Sequence, residues 1–317
     1  MAMDPRLMER LRAVTAEEQA FLDGSTTIQR ELYMTTEENT INAQKLLAAG
    51  KRITVRANTR FIDFPEHKHD YVEMVYMLSG STTHLVQGKE LVLNKGELLL
   101  LGQQVTHAVK CSGLEDVGVN FIVLPDFFAT TLTTLGQEET PLRRFLISCL
   151  CGGIGAGYLH FSVAGVRPVE NLIENLLFTL MEESPNRRKT SELTMALLFL
   201  QLMSHTQTLQ SDTPEDTAVF QTLQYVEREY ANASFSQLCR QMHYDASWLS
   251  RKIKKETGRT FTELVREKRL AQAAFLLKNT DARVSDVARA VGYENVSFFH
   301  RIFARQYGKS PKAYRGV

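Results

Sequence analysis

The spacing of hydrophobic residues changes along the chain and divides it into regions. Between about residues 53 and 123, hydrophobic and polar positions alternate in short runs, and turns that often contain glycine separate the runs. Alternation with period two is typical of β-strands buried on one face. Short strands separated by turns at this spacing favour a sandwich or a barrel. We therefore predict a β-domain in this region.

Helical spacing surrounds the β-domain on both sides. Residues 4–22 and 36–49 are predicted helices to which we assign no function, with Thr36 as a candidate start of the second one. Residues 168–183 place their hydrophobic side chains on one stripe, which predicts an amphipathic helix. A further helix is predicted at about residues 190–209, and its hydrophobic positions are Leu193, Leu197, Leu200 and Leu202. We expect both of these helices to pack on the β-domain.

Residues 125–156 contain a predicted helix and end in a glycine-rich loop at 152–157. We interpret this loop as a turn into a strand at 158–163, because no buried strand precedes it as one does in a phosphate-binding loop. The chain holds four cysteines, too few for a disulfide framework in 317 residues. Cys149 and Cys151 could form a redox or metal pair, and the alternative is burial or a loop position.

The last third of the chain contains one pattern twice. A short helix ends at a break, an N-cap residue follows, and a second helix runs to a glycine. The N-caps are Asp245 and Asn295, and the helices that they begin are predicted at residues 246–256 and 296–307. A helix at about residues 261–279 joins the two units. The pattern predicts two helix-turn-helix units in tandem.

Hydroxyl, imidazole and basic side chains occupy the predicted outer faces of these two helices, a composition suited to base edges and phosphates in a major groove. They are Ser247, Ser250, Arg251, Lys254, Ser297, His300, Arg301 and Arg305. Charge supports DNA as the partner. Residues 217–317 carry 18 basic and 9 acidic side chains, a net charge of +9, whereas the rest of the chain has a net charge of −8. Trp248 is expected to pack inside the domain rather than stack on a base.

Four motifs in this part carry a family resemblance. They are Arg269-Leu270-x-x-Ala273-x-x-Leu276-Leu277, Val287-Ala288-x-x-Val291-Gly292-Tyr293, Phe298-Phe299-x-Arg301-x-Phe303 and Gly308-Lys309-Ser310-Pro311-x-x-Tyr314-Arg315. Together they resemble the DNA-binding domain of transcription regulators of the AraC (AraC/XylS) family. Cys239 and Ile253 depart from the family pattern, but both positions are interior.

The resemblance implies a mode of action. Two recognition helices would enter successive major-groove segments on one face of double-stranded DNA. One helix of the 168–209 pair would also pair with its copy, which gives a homodimer, and the alternative is that both helices only pack on the β-domain. A small-molecule effector would bind the amino-terminal domain, and a sugar is the family-level expectation. Family members more often activate than repress, so RNA polymerase is a further candidate partner.

The β-region also contains a histidine pattern. His67-x-His69-x3-Glu73-x6-Gly80 resembles the first motif of the cupin fold, and Gly96 followed by His107 resembles the second. The departures are at Gly102, Gln104 and Cys111. In cupin enzymes three histidines and one glutamate hold a divalent metal inside the barrel, and imidazole and carboxylate suit Fe, Ni, Mn or Zn.

Three interpretations of His67, His69, Glu73 and His107 remain open at this point. They could hold a divalent metal, they could line an effector pocket without metal, or they could be structural, since sensor domains of this family often keep part of the pattern without a metal. His84 and His160 lack a motif, and we place them on the surface or in the core.

Taken together, these patterns predict an α+β protein with an amino-terminal cupin-like β-barrel, flanking helices and an all-α tandem helix-turn-helix domain. The predicted boundaries are residues 1–52 for an amino-terminal helical segment, 53–165 for the barrel, 166–209 for the dimerisation helices, 210–216 for a polar linker and 217–317 for the DNA-binding domain.

Neither a signal peptide nor an apolar run long enough to cross a membrane is evident, so we expect a cytoplasmic protein. We expect a regulator and not an enzyme. The alternatives are a metal-dependent cupin enzyme fused to a DNA-binding tail and a regulator that needs no ligand.

Overall fold

The computed structural model describes residues 3–34, 39–136, 138, 140–150, 157–205, 209–211 and 218–316. Thr36, Cys151, the glycines at 152–155 and most of the predicted linker lie outside the described residues. The chain forms two compact units, Met1–Pro214 and Glu215–Val317. Within the described residues, no helix is both long and apolar enough to cross a membrane.

The amino-terminal segment is less helical than predicted. Residues 4–22 form two helices, α1 (Pro5–Arg12) and α2 (Ala16–Leu22), because Thr15 begins the second one with a capping box. The predicted helix at 36–49 is wrong. Its described part is a short strand, β1 (Thr40–Ile41), followed by one helical turn, α3 (Ala43–Leu46). Tertiary contacts explain the difference: β1 pairs with the strand that contains His69, and the Asp70 carboxylate accepts a hydrogen bond from the Ala43 amide at 2.7 Å.

The predicted β-domain is confirmed. Its remaining strands are β2 (Ile53–Ala57), β3 (Phe64–His69), β4 (Val72–Ser79), β5 (Ser81–Val86), β6 (Lys89–Asn94), β7 (Glu97–Leu101), β8 (His107–Val109), β9 (Val117–Val123), β10 (Tyr158–Ser162) and β11 (Leu209–Ser211). They form a five-stranded sheet of order β1-β3-β8-β5-β6 and a six-stranded sheet of order β11-β10-β7-β4-β9-β2. Side chains from both sheets meet in a shared hydrophobic cluster, for example Val75 and Leu99 with Val86 and Leu93.

Four helices follow the main run of strands: α4 (Ala129–Thr134), α5 (Pro141–Leu150), α6 (Arg167–Met181) and α7 (Arg187–Met203). The predicted helix at 168–183 is confirmed as α6, whose hydrophobic stripe is buried. The predicted helix at 190–209 begins earlier and ends at Met203, because residues 209–211 are instead strand β11, antiparallel to β10.

The four hydrophobic positions predicted for α7 do not all lie on its buried side. Leu198, Phe199 and Leu202 are fully buried, whereas Leu193 and Leu197 are 48% and 52% exposed. Helix α7 is hydrophobic around most of its circumference, so its sequence does not reveal which side packs on the domain. The structure places Leu198 and Phe199 inward and leaves a leucine face uncovered in this unit.

The second unit is all helical, as predicted. Its helices are α8 (Ala218–Glu229), α9 (Phe235–Met242), α10 (Ala246–Thr257), α11 (Phe261–Asn279), α12 (Val284–Ala290), α13 (Val296–Tyr307) and α14 (Pro311–Arg315). The core of its carboxyl-terminal half joins α11, α12 and α13 through side chains that include Leu270, Leu277, Val287, Phe299 and Phe303. The long helix α11 therefore supports the second helix-turn-helix.

Candidate nucleic-acid interface and barrel site

Both predicted recognition helices begin and end where local chemistry requires. The Asp245 carboxylate accepts a hydrogen bond from the Trp248 amide at 2.8 Å, and the Asn295 side-chain oxygen accepts one from the Phe298 amide at 2.9 Å. These side chains satisfy amides that have no partner inside a first helical turn. Gly258 and Gly308 end α10 and α13 in the left-handed conformation that glycine adopts without strain.

Each recognition helix has one buried face and one polar face. The buried face of α10 is formed by Leu249 and Ile253, and that of α13 by Phe299 and Phe303. Of the eight predicted DNA-contacting residues, seven are exposed and His300 is half-buried; the seven are Ser247, Ser250, Arg251, Lys254, Ser297, Arg301 and Arg305. The structure therefore gathers these polar side chains on the side of each helix that faces away from the core.

Two of these side chains are restrained by contacts within the helix or at its end. Arg251 donates from Nε to the Ser247 carbonyl oxygen at 3.2 Å. Lys254 donates to the Gly258 carbonyl oxygen at 2.7 Å, and its Nζ lies 3.6 Å from a carboxylate oxygen of Glu263. The ammonium of Lys254 thus lies at the carboxyl end of α10, beside the helix end rather than at its centre.

The expectation that Trp248 packs inside the domain is wrong. Its side chain is 41% exposed and stacks on Tyr244, with ring centroids 4.8 Å apart and an interplanar angle of 26°. Leu249 and Ile253 already fill the inward face of α10, and Trp248 lies beside that face. Phe298 occupies the same position in α13 and is 42% exposed.

Arg269 connects the segment that follows α8 to the turn of the second helix-turn-helix unit, a role that its sequence position does not reveal. From helix α11 it donates to the carbonyl oxygens of Tyr230 at 2.8 Å, Ala231 at 3.0 Å and Gly292 at 3.0 Å. Gly292, in the turn of the second unit, has φ +91°, and a β-carbon there would collide with the Ala231 carbonyl oxygen. Three charge-assisted bonds therefore hold the turn of the second unit against the end of α8.

In the β-domain, three predicted histidines converge on one point. Register places His67 of β3 opposite His107 of β8. Their Nε2 atoms are 2.8 Å apart, and Nε2 of His69 lies 3.3 Å from Nε2 of His107. A carboxylate oxygen of Glu73 in β4 lies 3.6 Å from Nε2 of His107 and 3.7 Å from Nε2 of His69. We call these four residues the histidine cluster.

Burial keeps the imidazoles of the histidine cluster uncharged. It lowers the pKa of His67 to about 4 and holds the pKa values of His69 and His107 well below the ordinary value. It also raises the pKa of Glu73 to about 7. The imidazoles are therefore neutral at neutral pH, and each has a nitrogen lone pair available as a ligand.

The donor set fits a divalent metal. Nδ1 of His67 is 2.7 Å from the Pro65 carbonyl oxygen, which fixes the proton on Nδ1 and leaves the Nε2 lone pair directed into the cluster. Within the described part of the chain, His67, His69 and His107 are the one group of three or more residues placed to hold a metal ion, and their ligand atoms lie within 4.8 Å of one another. Three buried imidazoles with a carboxylate beside them are a typical site for a transition metal.

His84 and His160, which lack a motif, are both in the core. His84 stacks on His107 with ring centroids 5.8 Å apart, and burial lowers its pKa to about 3. Strand alternation could have identified it, since it shares the inward side of β5 with Val86. His160 instead contacts the Glu97 carboxylate at 3.1 Å, so it stabilises the β7–β10 pair. Only His84 adjoins the histidine cluster.

A cavity of about 40 Å³ adjoins the histidine cluster. One wall carries polar groups, including Arg56 and Asn120. The guanidinium of Arg56 donates to the Tyr33 hydroxyl at 3.0 Å, and that hydroxyl donates to the Glu17 carboxylate at 2.5 Å. The amino-terminal segment contributes Tyr33, Ile41 and Leu46 to the lining of the cavity. The space is large enough for a few water molecules.

Comparison with known families gives two matches, one in each unit. A helix-turn-helix domain model matches residues 238–316, and a cupin domain model matches residues 54–123. The first spans α9 to α14, including both recognition helices. The second spans β2 to β9, including the histidine cluster.

Two relatives align with most of the length of this chain. The HTH-type transcriptional activator RhaR of Enterobacter sp. (strain 638) is 23% identical over 273 residues, which are 84% of this chain and 92% of that protein. RhaR of Klebsiella pneumoniae is 23% identical over 261 residues, 80% of this chain and 87% of that protein.

Among solved structures, that of an apo variant of ToxT from Vibrio cholerae aligns with this chain. The alignment covers 83% of this chain and 96% of the ToxT chain, with 14% identity and a TM-score of 0.39. The domain matches and the whole-chain relatives agree with the motifs around Arg269, Gly292 and Pro311. The helix-turn-helix match and the RhaR relatives thus agree with the resemblance to the AraC family, and the chain is a DNA-binding transcription regulator similar to members of that family.

Proposed function

We propose that the protein is a homodimeric transcription activator whose DNA binding responds to a small molecule held in the β-domain. Its whole-chain relatives are named as transcriptional activators. As an activator it would act on RNA polymerase at the promoters that it binds. The observation that carries the proposal is the combination, in one chain, of a unit with two capped recognition helices and a unit with a polar cavity.

The effector would bind in the cavity beside the histidine cluster. Arg56, Asn120 and Glu73 offer hydrogen-bond donors and acceptors to a polar molecule such as a sugar. The cavity is too small for a sugar, so binding would displace the wall made by Tyr33 and Ile41. A ligand that binds the enlarged cavity more tightly would shift the protein between two arrangements of the amino-terminal segment.

The dimer would form through helix α7. Leu193 and Leu197 are four residues apart, so they lie on one side of the helix, and both are half exposed. Exposed neighbouring leucines are costly in water and are typical of an interface with a second copy. The leucines on the other side of α7 pack inside the domain and keep the helix in place.

A metal-responsive regulator is a second candidate, favoured by the convergence of three Nε2 atoms. His67, His69 and His107 would hold a divalent ion, with Glu73 as a fourth ligand. A bound ion would supply positive charge to which an effector oxygen can bind. The same residues without metal would line the pocket, or would stabilise the β-domain by packing.

Metal analysis of the purified protein separates these roles. Stoichiometric metal in the wild type, lost in both His67→Ala and His107→Ala but kept in His160→Ala, would support the metal site. His160 is the matched control because it is buried in the same domain but contacts Glu97 instead of the cluster. Metal together with turnover of a substrate would favour a cupin enzyme with a DNA-binding tail.

The regulator proposal is tested by DNA selection followed by effector screening. The full-length protein should select a preferred sequence from a randomised duplex pool. At least one sugar in a panel should then raise the melting temperature of the protein and change its affinity for the selected duplex. Sequence preference without any effector response would leave a regulator that needs no ligand, and the absence of sequence preference would contradict the proposal.

A further inference from the structure

Each recognition helix carries an exposed aromatic ring at its third residue. Trp248 follows the N-cap Asp245 by three positions in α10, and Phe298 follows the N-cap Asn295 by three positions in α13. The two rings have almost the same exposure, 41% and 42%. Because an exposed aromatic residue occurs at the equivalent position of both recognition helices, we treat it as a feature of the DNA-binding surface.

Both rings are supported by neighbours without being covered. Trp248 stacks on Tyr244, which lies in the turn before α10. Phe298 lies 6.2 Å from the ring of Tyr293 in the turn before α13, and the guanidinium of Arg301 lies 5.4 Å from its centre. In both units an aromatic residue of the turn therefore fixes the ring on the recognition helix, which reduces the entropy lost when the ring makes a contact.

The rings flank the polar face of each helix. Successive residues of an α-helix are about 100° apart, so residue three lies about 60° around the helix from residue six. Residue six is Arg251 in α10 and Arg301 in α13, each exposed on the polar face. A helix that places these arginines on the base edges at the floor of the groove therefore places Trp248 and Phe298 beside them, at the margin of the same floor.

The chemistry of the groove floor selects one partner. Base faces are stacked inside a closed duplex, so a ring in the major groove meets only base edges. The side chain of Phe298 neither donates nor accepts a conventional hydrogen bond. The apolar group on the major-groove edges of the bases is the C5 methyl group of thymine.

We propose that Trp248 and Phe298 recognise thymine through its C5 methyl group, one ring in each major-groove segment that the protein contacts. The proposal rests on the DNA-binding role of the domain and assigns part of the sequence preference to residues outside the eight polar ones. Contact with one methyl group removes about one CH3 from water, which corresponds to about a fourfold change in affinity.

The test uses the duplex that the full-length protein selects from a randomised pool. Each thymine is replaced in turn by uracil, which pairs identically but lacks the C5 methyl group, and affinity is measured by fluorescence anisotropy of the labelled duplex. The wild type should lose about fourfold in affinity at one or more positions in each half of the site. Trp248→Ala should abolish this loss in one half only, and Phe298→Ala should abolish it in the other half.

Further variants separate this contact from structural effects. Phe275→Ala removes an exposed phenylalanine of α11, outside both recognition helices, and should retain every uracil effect. Phe298→Leu keeps an apolar side chain and should retain part of the effect. If Phe298 acts only by positioning Arg301, Phe298→Ala should change the preference at guanine positions and leave the uracil effects in place.

The outcomes distinguish this inference from the DNA-binding role. Selection of no duplex by the wild type would contradict the DNA-binding role itself. A selected duplex that tolerates uracil at every position would overturn the methyl contact alone. Equal losses of affinity by both variants on the thymine and uracil duplexes would indicate contacts with sugar or phosphate, which also overturns the inference.

Discussion

The contact between Arg269 and three backbone carbonyls predicts that one side chain controls the stability of the DNA-binding unit. Arg269→Ala removes all three hydrogen bonds and leaves the carbonyl oxygens of Tyr230, Ala231 and Gly292 without this donor. Arg269→Lys keeps the positive charge, but a single ammonium cannot reach three carbonyls in the planar arrangement that a guanidinium matches. The pair of variants therefore separates the loss of charge from the loss of the connection.

The magnitude follows from the number of bonds and their exposure. A hydrogen bond to a charged group contributes about 1.5–3 kcal/mol to the free energy of unfolding. Arg269 is half-buried, so solvent compensates for part of the loss when it is removed. We expect a destabilisation of about 3 kcal/mol for Arg269→Ala and about 2 kcal/mol for Arg269→Lys.

Trp248 provides the assay, because it is the single tryptophan of the chain and lies in the DNA-binding unit. Urea unfolding followed by its fluorescence therefore reports on this unit. With a denaturant slope of about 2 kcal/mol/M, the midpoint should fall by about 1.5 M for Arg269→Ala. Arg289→Ala is the control, since it breaks only an exposed ion pair with Asp286, which contributes less than about 1 kcal/mol.

DNA binding should follow the same order as stability. If Arg269 holds the turn of the second unit in place, both variants should weaken binding to the selected duplex, although Arg269→Lys keeps the charge. A midpoint for Arg269→Ala within about 0.3 M of the wild type would refute the argument. Loss of binding in Arg269→Ala but not in Arg269→Lys would show that charge alone matters.

The remaining predictions concern DNA, the dimer and the amino-terminal helices. Affinity for the selected duplex should fall steeply with salt, with a log–log slope of about −0.9 per phosphate contact; a flat titration would exclude a role for phosphate contacts. Arg301→Ala should cost about 1–3 kcal/mol and relax the preference at one position, which a panel of substituted duplexes will measure. Leu197→Glu should give a monomer in sedimentation, whereas Leu114→Glu, at another exposed leucine, should leave the dimer intact. Glu18→Gln should cost about 3 kcal/mol because it removes the negative charge that pairs with the buried guanidinium of Arg60 at 2.7 Å.

The effect of Glu18 also has a defined pH dependence. Burial raises the pKa of this carboxyl, but the hydrogen bonds and charge of Arg60 outweigh burial and hold the pKa below its ordinary value of 4.5. The stabilisation is therefore complete above about pH 4.5 and is lost as the pH falls through the lower pKa of the folded state. The stability of the wild type should fall towards that of Glu18→Gln as the solution is acidified, and parallel acid curves would contradict this account.

Local interactions allowed the helices of the carboxyl-terminal unit to be predicted from the sequence. Asp245 and Asn295 begin the recognition helices by binding amides within three residues, and glycines end both helices. Such signals act over one helical turn and need no tertiary context. Alternation with period two identified the β-domain for a similar reason, since each strand shows its two faces in its own residues.

Other features depended on contacts between distant segments. The predicted helix at 36–49 was replaced by strand β1, because pairing with β3 outweighed local helical preference. Trp248 was expected inside the domain because its side chain is hydrophobic. Leu249 and Ile253 instead occupy the inward face of α10. Leu193 and Leu197 could not be assigned to a face, because α7 is hydrophobic on several sides.

The sequence by itself determined the two kinds of domain, their order and the residues on the outer faces of α10 and α13, because short-range periodicity and capping encode all of these. Only the tertiary structure decided that Nε2 atoms of His67, His69 and His107 meet, that His84 joins them and that Arg269 connects two turns. These residues are brought together by strand register and helix packing. Such contacts depend on the arrangement of the whole fold, which a local pattern of residue types does not contain.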